Sequence, residues 1–175
     1  MKRKFNYSLV GILMLTFMVV SHTNAIAQEK SKKQLKEEAK LEKQKQTTLL
    51  VDSKEFVFVA KTVMPQGART INLTTEYTLE FHPDLIKCDL PFFGRAFSGV
   101  AYGGDGGMKF EGKPMDLNIE KKKKSHDIKV NVKGDNDSYS LMLSVYFDGS
   151  AYLSISSNNR STISYNGDIE ALQKK

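Results

Sequence analysis

The chain has 175 residues, 26% of them charged, with no tryptophan and one cysteine. That length fits one domain, and a lone Cys88 excludes an intramolecular disulfide. The formal net charge of +6 misrepresents the folded part, because from Thr47 onward basic and acidic side chains balance at 16 each. The basic excess lies in an export signal and a charged arm, which argues against nucleic acid as a partner.

Residues 1–27 read as a secretory signal peptide. Lys2, Arg3 and Lys4 form the positive start, Leu9 to Val20 the apolar run, and Ala25-Ile26-Ala27 the small-x-small cleavage pattern. The apolar run is short for a bilayer span. No cysteine stands near the cleavage point, so the N-terminus is not lipidated. The mature chain is expected to begin near Gln28 as a soluble, exported, periplasmic protein with no transmembrane span.

Residues 28–50 form a charged arm, helical or tether-like. Between Gln28 and Gln46 it holds seven Lys and four Glu. Lys, Glu, Gln and Ala are good helix formers, and Lys33 and Glu37 stand one turn apart. Its apolar stripe, Leu35, Ala39 and Leu41, is too narrow to bury much.

Residues 51–175 read as an all-β, antiparallel meander forming a barrel or a sandwich. Phe56, Phe58 and Ala60 alternate with Val57, Val59 and Lys61, a strand at least partly covered on both sides. Thr62 to Arg69 is a loop carrying Pro65 and Gly67. Ile71, Leu73, Thr75, Tyr77, Leu79 and Phe81 fall on one parity, giving one long half-buried strand or two joined by a bulge. Leu85 to Leu90 is a further short strand. Cys88 shares a face with Ile86 and Leu90 and reads as a buried, inert thiol. The alternation resumes at Met115, Leu117 and Ile119, and continues through Ile128 to Val132, Tyr139 to Phe147, Ala151 to Ile155, and Ile163 to Tyr165. About nine strands result. The tail from Asp168 to Lys175 has room for a short helix packed through Ile169 and Leu172.

One hairpin can be read more closely. A two-residue loop at Asp148-Gly149 would put Leu143 on the same face as Ser154 and split the apolar faces. A three-residue loop, Phe147-Asp148-Gly149, puts Leu141, Leu143 and Val145 on the face of Ala151, Leu153 and Ile155. Register follows the buried face, so the odd loop is expected, with Gly149 left-handed as a G1 bulge.

The regular pattern breaks at Leu90-Pro91-Phe92-Phe93-Gly94-Arg95-Ala96-Phe97 and at Tyr102-Gly103-Gly104-Asp105-Gly106-Gly107. Here Phe92, Phe93, Arg95, Phe97 and Tyr102 are the candidate ligand-binding residues. They either plug one end of the domain or rim a pocket for an apolar ligand, with Arg95 fixing an anionic group. Burial of Phe92 or Phe93 and a mobile Gly103–Gly107 loop are expected. Arg95 can also lie over a neighbouring ring.

No catalytic residue, metal or cofactor is assigned. His82 and His126 lack ligand spacing, and Gly103 to Gly107 is a single copy of a pattern that binds calcium only when stacked. Neither a phosphate-binding glycine motif nor a nucleophile elbow is present. Lys121 to Lys124 reads as a solvated turn.

Several of these segments together resemble a known family. Leu90 to Phe97, Gly107-Met108-Lys109-Phe110, Phe56 to Ala60, Gly149 to Ile155 and Asn159 to Gly167 are similar to an uncharacterised envelope-protein family, domain of unknown function 4251. The resemblance covers about Asp52 to Ile169. One departure is Phe92-Phe93, where Tyr-Phe is the family pattern. Membership would imply export to the periplasm of a Bacteroides-type bacterium, and it brings no activity, ligand or catalytic residue. The expectation is therefore a non-catalytic binding module for a small apolar or amphipathic ligand. The alternative is a module that contacts an envelope protein or glycan, with a hydrolase behind both. Oligomeric state is not readable.

Overall fold

A computed structural model describes residues 31–97, 106–135 and 137–172. Two units are distinguished, Met1–Glu42 and Lys43–Lys175. Residues 31–53 are helical, α1. Residues 31–42 of α1, in the first unit, are exposed, as a face with so few apolar side chains requires.

Residues 43–53, in the second unit, carry Thr47, Leu50 and Val51 toward the domain. Val51 is fully buried in the core and Leu50 packs against it. Thr47 Oγ1 donates to the Phe147 carbonyl at 3.4 Å. The helix stops at Lys54, whose φ of 56° is left-handed and whose N–H donates to Val51 O at 3.2 Å. Ser53 Oγ adds a bond to Leu50 O at 2.8 Å. These satisfy carbonyls that a helix end leaves open.

Nine strands follow in the described residues: β1 Phe56–Pro65, β2 Ile71–Phe81, β3 Ile86–Leu90, β4 Met108–Gly112, β5 Pro114–Lys121, β6 Ser125–Lys133, β7 Ser138–Tyr146, β8 Ser150–Ser157 and β9 Ile163–Ala171. All neighbours are antiparallel. Their order is β4-β3-β2-β1-β9-β8-β7-β6-β5. The first and last strands of that order are separated in the chain by Lys113 alone, so one bent run borders β3 with its first half and β6 with its second. The sheet thereby curls back on itself into a near-barrel. Phe110 of β4 stacks on Tyr139 of β7 with ring centroids 3.8 Å apart, which fills the seam.

The core lies inside this curl. Phe56, Phe58, Leu79, Phe81, Ile86, Leu143, Leu153, Ile155 and Tyr165 are fully buried, and all belong to the parities that alternation marks as inward. Cys88 faces inward too, and burial pushes its thiol well above the usual value. The β7–β8 hairpin has the three-residue loop: Val145 pairs with Ala151, Leu143 with Leu153 and Leu141 with Ile155. Gly149 has φ +87°, and its N–H donates to Tyr146 O at 2.9 Å.

Three expectations are corrected. Asp168 to Ala171 are not helical but the end of β9, pairing Phe56 with Ala171 and Phe58 with Ile169; the last three positions of that expected helix lie outside the described residues. Contact with β1 outweighs the helix-like spacing of Ile169 and Leu172. Thr62 to Pro65 are not loop but the end of β1, pairing Val63 with Tyr165 and Pro65 with Ile163, while Val57 and Val59 give that strand the partial cover on its second side that its sequence suggests. Met115 is exposed while Leu117 and Ile119 pack on the core, because the ladder shifts between Met115 and Asn118. Asp116, with φ +52°, takes the turn there as a bulge residue.

His126 lies beneath α1. Its ring is almost wholly buried and meets Phe147 edge-on at 5.5 Å between centroids. Its Nε2 is 3.3 Å from Thr48 Oγ1. That hydroxyl gives its own proton to Gln44 O at 2.9 Å, so the imidazole Nε2–H is the donor to Thr48. Burial, reinforced by Lys121 and opposed by Asp52, holds the His126 pKa below the ordinary 6.5. The unfolded chain therefore takes up the proton first as pH falls. Stability is complete above about pH 6.5 and declines as pH drops through the folded value. Urea midpoints recorded between pH 7.5 and 5 should fall with pH, and His126→Asn should flatten that slope. Parallel slopes in the two proteins would refute the assignment.

Candidate binding cleft at the open end

The end of the near-barrel away from α1 residues 43–53 carries the loops after β1, β3, β6 and β8. Two irregularities shape it. Ala60 pairs with Tyr77, but Thr62 pairs with Asn72, so Leu73 to Glu76 of β2 stand opposite Lys61 alone and arch outward. On the other side of β1, Ala60 pairs with Gly167 and Thr62 with Asn166, leaving Lys61 as a simple bulge whose ammonium pairs with Asp168. β3 borders β2 only through Thr78 to Phe81. The arch of β2 therefore has no β3 neighbour, and the chain leaving β3 at Pro91 passes beside it.

Between arch and strap lies a cleft of about 470 Å³. Leu90 and Pro91 form its floor, and Tyr77, Phe92 and Phe93 its aromatic walls. Its rim is polar: Thr75, Glu76 and the Asp89–Lys109 pair, 3.6 Å apart. Gly106 and Gly107 complete the lining. A hollow whose lining is divided about evenly between polar and apolar surface suits a small amphipathic molecule.

The strap is held from below and from the side. Tyr165, fully buried on β9, donates its hydroxyl to Pro91 O at 2.9 Å, and burial pushes its phenol well above the usual range. Arg160 lies over the Phe92 ring, 5.1 Å from its centroid. Its Nη1 donates to Gly107 O at 2.7 Å and Gly106 O at 3.2 Å. A cation over a ring and two carbonyl contacts fix a planar guanidinium well. The segment after the strap adds a short ladder: Ser161 N donates to Arg95 O at 2.9 Å, Arg95 N to Ser161 Oγ at 3.0 Å, and Phe97 N to Asn159 O at 2.8 Å.

The candidate residues from the sequence thus divide. Phe92 and Phe93 line the cleft, while Arg95 and Phe97 are absent from its walls. Full burial of Phe92 or Phe93 does not occur. Phe92 is half-buried against the core, and Phe93 is 50% exposed. Phe97 is 70% exposed. Arg95 contributes its backbone to the ladder, and the cation over the ring is Arg160. Tyr102 and Gly103 to Asp105 lie outside the described residues. Tyr77, Glu76, Asp89, Lys109 and Arg160 were not singled out in the sequence. Arg160 did leave one signal: beyond residue 27, this lysine-rich chain has only Arg69, Arg95 and Arg160 as arginines.

Among the described residues, no three His, Cys, Asp or Glu side chains converge as metal ligands. No helix among them is long and apolar enough to cross a membrane. Lys121 to Lys124 are exposed at the β5–β6 turn. Lys122 is ion-paired to Asp127 at 2.7 Å.

A family model described as a domain of unknown function (DUF4251) matches residues 38–169. No curated protein matches the chain. Among solved structures, the chain is similar to the crystal structure, at 1.95 Å resolution, of a DUF4251 family protein from Bacteroides eggerthii DSM 20697. The two share 18% sequence identity and a TM-score of 0.57, over 74% of this chain and 87% of that one. At this identity the likeness is one of fold.

Proposed function

The chain belongs to the DUF4251 family, a domain of unknown function, and for it we propose a non-catalytic binding role in which the open-end cleft holds a small apolar or amphipathic ligand. The observation that carries this reading is Phe93. A large aromatic side chain at 50% exposure, standing in the wall of a hollow of about 470 Å³, is costly to leave against water and gains by being covered. The charged rim orients a polar head outward while the rings cover an apolar body. The setting is proposed to be the periplasm, on the support of the signal-peptide pattern in residues 1–27. N-terminal sequencing of the mature protein from the envelope should then begin near Gln28.

The chain has no tryptophan, so Phe93→Trp places a single tryptophan, excited selectively over the tyrosines, in the cleft wall. Titration with decanoate and with decanol should shift its emission to the blue and saturate. Phe93→Ala should weaken binding of the same probes about tenfold, as judged by calorimetry, since burying part of an aromatic side chain is worth about 1–2 kcal/mol. Its urea midpoint should stay close to that of the parent, because the side chain is half in water already. A linear, unsaturable emission change, or equal affinity in Phe93→Ala, would overturn the reading.

A further inference from the structure

A second hollow lies toward the same end of the near-barrel, among the start of β5, the end of β6, the start of β7 and the end of β8. It measures about 250 Å³ and is lined mainly by Met115, Asn131, Ser140, Ser156, Ser157 and Asn158. Its polar lining is made of hydroxyls and amides. Ser157 Oγ is buried there and finds no hydrogen-bond partner among the described residues. A buried hydroxyl left without a partner is costly and marks an imperfectly satisfied wall, while Ser138, Ser140 and Ser156, at outward positions, supply the hydroxyls a ligand can meet.

The hollow opens onto the outward face of β7 and β8. The outward positions there are six serines, Met142, Tyr146 and Tyr152. From Ser138 to Ser157 the only charged residue is Asp148, in the turn. The flanking strands differ. Outward positions of β6 include Asp127, Lys129 and Lys133, and those of β9 include Asp168 and Glu170. In a chain that is 26% charged, the neutrality of this face sets it apart. Tyr152 lies across the sheet rather than standing off it, because its hydroxyl reaches Ser164 Oγ on β9 at 2.8 Å. A serine oxygen stays close to its backbone, so the tyrosine ring must run low over the strands. Tyr146 and Met142, 45% and 46% exposed, stand on the same face.

We propose that this hollow and the face it opens onto bind a neutral glycan. Serine hydroxyls and asparagine amides both donate and accept, as sugar hydroxyls do. A recumbent tyrosine offers a flat apolar surface for the C–H face of a sugar ring. Neighbouring strands set hydroxyl rows about 4.8 Å apart, with about 6.8 Å between outward residues along a strand, which gives a grid on the scale of a sugar ring. The absence of cations argues against phosphate-bearing or sulfated partners. Too few large apolar anchors stand here for a protein interface of ordinary kind.

The test uses the mature chain with maltohexaose, cellohexaose and laminarihexaose as neutral probes and a heparin fragment as the anionic control, by calorimetry at 50 and 500 mM salt. At least one neutral hexaose should bind, with affinity changed less than twofold by salt. Ser140→Arg places bulk and charge at an exposed position in the hollow and should weaken that binding at least tenfold with an unchanged urea midpoint. Tyr152→Ala should weaken it similarly. Phe93→Ala, in the first cleft and outside the lining of this hollow, should leave it intact. Binding of heparin alone, loss of affinity at high salt, no binding of any neutral hexaose, or full binding by Ser140→Arg would each overturn the proposal.

Discussion

Replacing Gly167 by alanine is expected to destabilise the fold by about 3 kcal/mol or more, although the change adds one methyl group. Gly167 sits mid-strand in β9, paired with Ala60 on β1 and Ala151 on β8. A Cβ built there would fall within the Val59 carbonyl oxygen and lie 3.0 Å from the Phe58 ring. The bulge at Lys61 draws β1 backbone against β9 at this point. In an ordinary strand Gly→Ala is mildly favourable, since glycine loses more conformational freedom on folding. Here the obstacle is backbone, which cannot rotate aside, so the cost should reach or pass the upper end of the 1–3 kcal/mol typical of overpacking. Against a total stability of about 5–15 kcal/mol, that is a large shift in urea midpoint. Gly106→Ala is the control: nothing lies within 4 Å of its added Cβ, and its midpoint should match the parent. A parent-like midpoint for Gly167→Ala would mean that β1 and β9 do not approach as described.

Tyr165 is expected to give the other large effect, and two substitutions separate its two roles. Tyr165→Ala empties the largest fully buried side chain of the core and should cost about 3–5 kcal/mol. Tyr165→Phe keeps the ring and removes only the hydroxyl that donates to Pro91 O. That leaves a buried carbonyl without its partner, at about 1–3 kcal/mol. The smaller change should still reach the cleft, because Pro91 begins the strap that carries Phe92 and Phe93. In a Phe93→Trp background, Tyr165→Phe should shift the tryptophan emission and weaken decanoate binding. An unchanged spectrum would show that the strap is held by Arg160 alone.

Most of the strand framework was legible because period-two alternation is a local signal. The β7–β8 loop could be read to the residue, since only an odd loop keeps Leu143 and Leu153 on one face. What escaped was non-local. Ile169 and Leu172 are spaced like helix positions, and nothing nearby in sequence reveals that Ile169 pairs with Phe58. The arch of Leu73 to Glu76 exists only relative to β1, so neither it nor the cleft it opens could be located from β2 alone. Arg95 and Arg160 look equivalent as isolated arginines near aromatics. Their roles are set by the bridge between Ala96 and Arg160, which carries Arg160 over Phe92.

Apart from β1 with β9, every hydrogen-bonded pair of strands joins elements consecutive in the chain. That one pair brings Phe56 to Ala171, 115 positions later. Synthesis is vectorial, so β1 to β4 and β5 to β8 can each zip up as they emerge, yet the first strand waits for the last. Topologies that depend on such distant contacts fold slowly, on the millisecond-to-second scale. Until β9 leaves the ribosome, β1 and β8 each lack the neighbour that closes the sheet. A nascent chain built this way keeps two open sheet edges, at β1 and β8, until β9 arrives to bridge them.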